Sequence, residues 1–186
     1  MKCGKTSVAD SFMNNNPEIF RLAFADPLKD EFAAKYGIEL ADLYDNIEKE
    51  KYRTLLQSFA EGQKDIHGRD YFAKLWLETI LDIKPSAVII DDLRFYEELK
   101  VIAQYNSHVF RVTASDKVRA SRGWVPGPKD DHVSETELGD VTEETLKSFR
   151  GGLIVNNFST KDELNPVTAS LLLRICNDLP SSGSMS

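Results

Sequence analysis

The sequence predicts an α/β fold, a three-layer sandwich in which helices cover both faces of a central parallel sheet. Three observations predict it. Short apolar runs of strand length alternate with longer amphipathic stretches. One run, Ala87–Ile90, is apolar throughout, as a strand buried on both faces requires. Asp91 and Asp92 follow it directly, at the carboxyl end where open α/β sheets bind ligands.

The elements follow in order. "KTSVADSFMNN" reads as a helix with Val8, Ala9, Phe12 and Met13 on one face, and "NNNP" as a turn. Ile19–Ala25 alternates like a strand. "DPLKDEFAAKYG" is a helix, with Asp26 to cap it, Pro27 at its first position and Gly37 to end it. "ELADLYDN" is a short helix or loop. "EKEKYRTLLQSFAEGQK" is a helix with Tyr52, Leu55, Leu56 and Phe59 inward and Arg53, Gln57 and Glu61 on the other side. "RDYFAKLWLETIL" carries an apolar stripe at Phe72, Leu75, Trp76 and Ile80. After the Ala87–Ile90 strand come the helix "FYEELKVIAQYN", the strand "HVFRVTA", a helix start at "SDKVRASRG" and a long polar loop, "WVPGPKDDHVSETELGD". "GGLIVNNF" is the last strand, and "DELNPVTASLLLRIC" a closing helix interrupted at Pro166. One domain is expected over residues 1–178, with a disordered polar tail over 179–186.

Composition narrows the function. A net charge of −7 argues against a broad surface for nucleic acid or anionic membrane. No apolar run is long enough to span a membrane, and no signal-peptide pattern opens the chain. The two cysteines, Cys3 and Cys176, form no disulfide framework, which points to a reducing, cytoplasmic compartment. His67, His108 and His132 have no metal-ligand spacing.

What remains is phosphate chemistry. Gly4-Lys5-Thr6 matches the last three positions of a phosphate-binding loop. In such a loop backbone N–H groups face phosphate oxygens, a lysine supplies charge and a hydroxyl holds magnesium. The loop's first glycine and its preceding strand would lie before Met1. The first strand is therefore expected to be absent from the chain, leaving a gap beside the first helix. Losing several N–H donors at roughly 1.5–3 kcal/mol each would weaken ATP binding by orders of magnitude. Asp92 at a strand end suits a metal, and Arg94 nearby suits a phosphate. Lys117, Arg119 and Arg122 sit at the edge of the Gly/Pro-rich loop, where a closing flap would bring arginines to a transferring phosphoryl group. Lys29 and Arg53, from two helices, could converge on an anion.

Together these pieces resemble the small P-loop kinases that phosphorylate a monophosphate. "DPLK", "RTLLQ", "DLRF" and "HVSET" are similar to the bacteriophage-type deoxynucleoside monophosphate kinases. "DPLK", "DLR" and "RASRGWVPGPKDDHVSE" are similar to the animal-type phosphomevalonate kinases. The resemblance implies ATP and Mg2+ as cofactors. It implies that Gly4, Lys5, Thr6 and Ser7 contact ATP phosphates, with Asn156 or Asn157 near the adenine. It places the metal at Thr6 and Asp92. Lys29, Arg53 and Arg94 would bind the acceptor phosphate, and Arg119 and Arg122 would act from a lid over about residues 115–140. Lys5, Asp92, Arg119 and Arg122 would be the catalytic set. The expected reaction is phosphoryl transfer to a (deoxy)nucleoside monophosphate, with Tyr52, Phe59 and Gln57 or Gln63 framing the base. The alternatives are phosphomevalonate as acceptor, and a non-catalytic kinase fold kept as a binding or assembly subunit. Partners are then a small-molecule nucleotide and, for a homodimer, a second copy, with no nucleic-acid polymer and no membrane.

Overall fold

The computed structural model describes residues 2–45, 47–125, 137–156, 158 and 160–178. The elements are α1 (Lys5–Asn15), β1 (Ile19–Arg21), α2 (Asp26–Tyr36), α3 (Leu40–Tyr44), α4 (Glu48–His67) and α5 (Tyr71–Ile83). Then come β2 (Ala87–Ile89), α6 (Tyr96–Ile102), β3 (Phe110–Thr113), α7 (Asp116–Ser121), a 3₁₀ turn (Glu137–Asp140), α8 (Glu143–Ser148), β4 (Gly152–Val155) and α9 (Lys161–Asp178). The protein is α/β, mostly helical, with short parallel strand pairs. Most of the expected lid, including His132, and the 179–186 tail lie outside the described residues.

Two compact units share the chain. The first comprises residues 1–21, 86–91 and 106–186; the second comprises 22–85 and 92–105.

The four strands among the described residues belong to the first unit. β1 pairs with β2 in parallel, with Phe20 opposite Val88. β3 pairs with β4 in parallel, with Val112 opposite Ile154. The pairs form separate sheets, and no strand among the described residues joins β2 to β3. The β2 segment reads as a strand buried on both faces, yet its residues and those of β3 stay at least partly exposed. That is how a strand looks with one edge unpaired. Val8 and Phe12 of α1 form a cluster with Ile154 and Leu164, and Ile89, Phe110 and Val112 pack on it. α1 lies on α9. Their contact is pinned by the buried Ser11, whose hydroxyl lies 2.5 Å from Asn165 Oδ1 and 2.6 Å from Thr168 Oγ1. α9 runs unbroken through Pro166, correcting the expected interruption.

β4 approaches β3 closely at its start. A Cβ built on Gly151 would stand 1.6 Å from the carbonyl oxygen of Val109. Gly152 N–H donates to that same oxygen at 3.2 Å. Backbone cannot yield as a side-chain tip can. Gly151→Ala is therefore expected to cost roughly 3 kcal/mol or more, at the upper end of overpacking effects. A shifted thermal-unfolding midpoint checks this; an unchanged midpoint would contradict it.

The second unit is built around Phe32, Leu43, Leu56 and Phe59, with Leu28, Ile38 and Tyr52 packed against them. The α4 face differs from expectation at one place: Leu55 is 44% exposed, while Ala60 is buried instead. Buried positions 56, 59 and 60 follow the helical period, and 55 falls off their face. Phe72 and Trp76 of the α5 stripe are buried, and the Trp76 ring lies 4.5 Å from that of Phe24.

The expected strand over Ile19–Ala25 stops at Arg21. Its later N–H groups turn to carboxylates instead of a neighbouring strand. Ala23 N–H donates to Asp26 (2.8 Å), while Phe24 and Ala25 N–H both donate to Asp92, each at 2.9 Å. Asp92 thus fixes the approach to α2 rather than capping the helix that follows it.

Candidate phosphoryl-transfer residues

In the first unit, Gly4 has φ +85° and precedes α1. That left-handed conformation suits only glycine without strain. A Cβ there would also lie 2.3 Å from Asn156 Nδ2. No side chain caps α1, and its first turn holds no acid. The ladder begins with Val8 N–H donating to the Gly4 carbonyl at 3.0 Å. The N–H groups of Lys5, Thr6 and Ser7 therefore point out of the helix end, where the dipole favours an anion. Among the described residues, no carboxylate pairs with Lys5.

Thr6 faces Asp91, not Asp92. Its hydroxyl donates to Asp91 Oδ2 at 2.9 Å. Arg21 grips the same carboxylate with two nitrogens, at 2.5 and 3.2 Å, and reaches Asp10 at 3.3 Å. A hydroxyl and a carboxylate this close are hard oxygen donors of the kind magnesium takes. No cluster of three metal-ligating side chains occurs among the described residues. A magnesium ion on a nucleotide draws most ligands from phosphate and water, so a sparse donor set fits it.

Asn156, 2% exposed, belongs beside the Gly4 segment. Its amide donates to the Cys3 carbonyl at 3.0 Å, and its backbone N–H to Thr113. Arg122 joins it there. One Arg122 nitrogen meets the Asn156 and Phe158 carbonyls at 3.1 and 2.9 Å and the Asn156 side-chain oxygen at 3.3 Å. The other reaches the Cys3 and Lys2 carbonyls at 3.3 and 3.4 Å. Arg122, expected on a lid, thus ties the chain before α1 to the end of β4. Arg119 is elsewhere in α7: it pairs with Asp116 at 3.1 Å and lies 3.6 Å over the Trp124 ring. Asn157 lies outside the described residues.

The second unit gathers cations. Lys29, 6% exposed, pairs with Asp26 at 3.1 Å, and its ammonium stands 3.7 Å from the centre of the Tyr44 ring. The Tyr44 hydroxyl donates to Asp26 at 2.8 Å, and burial together with that carboxylate raises its pKa well above the ordinary phenol range. Arg53 pairs with Glu50 at 2.6 Å on the surface. Lys49 responds to several of these charges. Burial lowers its pKa first, and repulsion from Lys29, Arg53 and Arg94 lowers it further against the pull of Asp92. The charges of the three expected acceptor residues, Lys29, Arg53 and Arg94, thus all act on Lys49, a fourth cation that the sequence reading passed over. Its signal was present: Lys49 stands four residues before Arg53, one turn back on the same helix face.

Three of the residues expected to frame a base are engaged within the unit. Phe59 is buried with its ring 5.6 Å from Phe32, Tyr52 packs on the same core, and Gln63 donates to Glu31 at 3.1 Å.

No helix among the described residues is long and apolar enough to cross a membrane. No curated protein matches the chain. The sequence profile of one family, phosphomevalonate kinase, matches residues 1–108, which takes in Gly4-Lys5-Thr6, Asp91 and every residue of the second unit. The match spans more than half of the 186 residues, and the chain belongs to the phosphomevalonate kinase family.

Proposed function

We propose that this kinase transfers the γ-phosphoryl group of ATP to the phosphate of phosphomevalonate, giving the diphosphate. The observation that carries the reading is the family match over residues 1–108, a stretch that includes four cations, Lys29, Lys49, Arg53 and Arg94. Phosphomevalonate carries a phosphate and a carboxylate, two anions for such cations to neutralise. The engagement of Phe59 and Gln63 within the unit is a second reason to prefer it over a nucleotide. A (deoxy)nucleoside monophosphate is the competing acceptor, favoured by one feature: Tyr44 is 51% exposed and offers a ring for stacking.

In this reading the chain is one P-loop-type kinase domain over residues 1–178, with its lid over about 115–140. Lys5 and the free N–H groups at the start of α1 hold the outer phosphates of ATP. Thr6 and Asp91 are the oxygens nearest to hand for Mg2+, and Asp92 holds the approach to α2 and so the placement of Lys29. When bound, the ion neutralises charge on the phosphates. Lys29, Lys49, Arg53 and Arg94 orient the acceptor. Little covalent assistance is needed; positioning and charge stabilisation supply most of the rate.

A coupled ADP-release assay over phosphomevalonate and a panel of nucleoside monophosphates tests the reading. Turnover is expected with phosphomevalonate. Lys49→Ala is expected to raise the acceptor KM about tenfold or more with little change in the KM for ATP, as loss of one charged contact implies. Preference for a nucleoside monophosphate would overturn the acceptor. Absence of turnover with every acceptor would favour the non-catalytic subunit.

A further inference from the structure

Glu98 is a partly buried carboxylate that the proposed chemistry does not use. Its Oε2 accepts two backbone N–H groups, from Arg94 at 2.7 Å and from Phe95 at 3.0 Å. It sits at the third position of α6 and reaches back over the helix start. The bonds fall on Arg94 itself. Two residues earlier, Asp92 holds Phe24 and Ala25 N–H at 2.9 Å each, just ahead of the helix that carries Lys29. The segment 92–98 is thus fixed at both ends by carboxylates, with Arg94 between them.

We propose that Glu98 is a positioning residue for the acceptor phosphate: its two hydrogen bonds set the backbone that carries Arg94. The inference rests on the acceptor reading above for Arg94, but not on which monophosphate is the acceptor. The ionised carboxylate makes charge-assisted bonds to both N–H groups, and protonation weakens them. Burial chiefly, with repulsion from Asp92, pushes the Glu98 pKa up to about 7; the two N–H groups and Lys64 pull the other way. Lys64 belongs to α4 and lies 4.2 Å over the Phe95 ring, while Arg69, just before α5, pairs with the neighbouring Glu97 at 3.9 Å. Acceptor binding is therefore set to tighten as Glu98 ionises around neutral pH.

The raised pKa gives a second, opposite consequence. Between the unfolded value near 4.5 and about 7, the folded state holds the proton that the unfolded state releases. Stability from this group is full below that window and is lost as pH rises through it. Glu98→Gln, nearly isosteric and neutral, is therefore expected to be more stable than the wild type at pH 8 yet weaker in binding phosphate. A helix cap with no further role would shift the stability and leave phosphate binding unchanged.

The test is calorimetric binding of inorganic phosphate to the wild type and to Glu98→Gln at pH 6 and pH 8, with the thermal midpoint of each. At pH 8 the variant is expected to bind roughly fivefold more weakly or worse, the scale of trading two charge-assisted hydrogen bonds for neutral ones. At pH 6 the two proteins should converge. Titration of the phosphate itself is common to both and cancels in the ratio. In the wild type the Arg94 and Phe95 amide resonances should titrate near pH 7, and in the variant they should not. Equal phosphate binding at pH 8, or no binding by the wild type at either pH, would overturn the proposal. Phosphate binding with the expected ratio but no turnover of phosphomevalonate would leave Glu98 in place and remove only the acceptor.

Discussion

Lys5→Ala is expected to retain the fold and lose about 10²- to 10³-fold in kcat, the scale of removing one preorganised charge from a transition state. The fold should survive because Lys5 contributes no ion pair among the described residues. α1 is held instead by Val8 and Phe12 in the core and by the buried Ser11 hydrogen bonds. Its stability should stay within about 0.5 kcal/mol of the wild type, as for surface changes away from special features. The transfer step should suffer because Lys5 brings a positive charge to the first turn of a helix that no side chain caps. Thermal unfolding and ADP release, measured together, check both halves. Full turnover in the variant would remove the helix start from the chemistry.

Arg122→Ala is expected to lower stability by roughly 3 kcal/mol in the absence of any nucleotide. Bonds from a charged donor contribute about 1.5–3 kcal/mol each, and they are not additive when one group makes them all. Arg122 serves the carbonyls of Lys2, Cys3, Asn156 and Phe158 together with the Asn156 side chain. Truncation would leave those oxygens short of donors and would release the segment that positions Gly4. Arg122→Lys should recover little, because an ammonium cannot span the same oxygens with a planar fork. A guanidinium that served only a bound phosphate would leave the nucleotide-free midpoint unchanged. That result would return Arg122 to the lid role read from its place beside the Gly/Pro-rich loop.

Where the sequence reading and the structure part, the causes are local. Helices were legible because their apolar faces repeat every third or fourth residue, as at Leu56 and Phe59 or Phe72 and Trp76. Strand ends were not. Ile19–Ala25 alternates throughout, but Asp26 and Asp92 take the N–H groups of Ala23, Phe24 and Ala25, and Asp92 comes from a segment far along the chain. No local pattern could announce that. α8 was readable and was missed: Thr142 caps it, accepting Thr145 N–H at 3.1 Å, and Glu143 and Glu144 fill its first turn. The polar loop before it masked the start signal.

The site divides in the same way. Gly4-Lys5-Thr6 could be picked out because its spacing is itself the chemistry. The partner of Thr6 could not, since two adjacent aspartates differ only in direction: Asp91 turns to Thr6 and Arg21, and Asp92 to the α2 approach. The arginine pair before the loop looked alike in sequence. In the fold Arg122 reaches backbone carbonyls while Arg119 stacks on Trp124. Charge alone does not say which oxygens a guanidinium will find.

If the proposal holds, this chain makes a diphosphate from phosphomevalonate. Phosphorus NMR of a mixture of the protein, ATP, Mg2+ and phosphomevalonate tests it most directly. The monophosphate resonance should disappear while two coupled signals from a non-nucleotide diphosphate grow, in step with ADP and absent with Lys5→Ala. ADP accumulating with inorganic phosphate alone, while the phosphomevalonate signal stays constant, would contradict it.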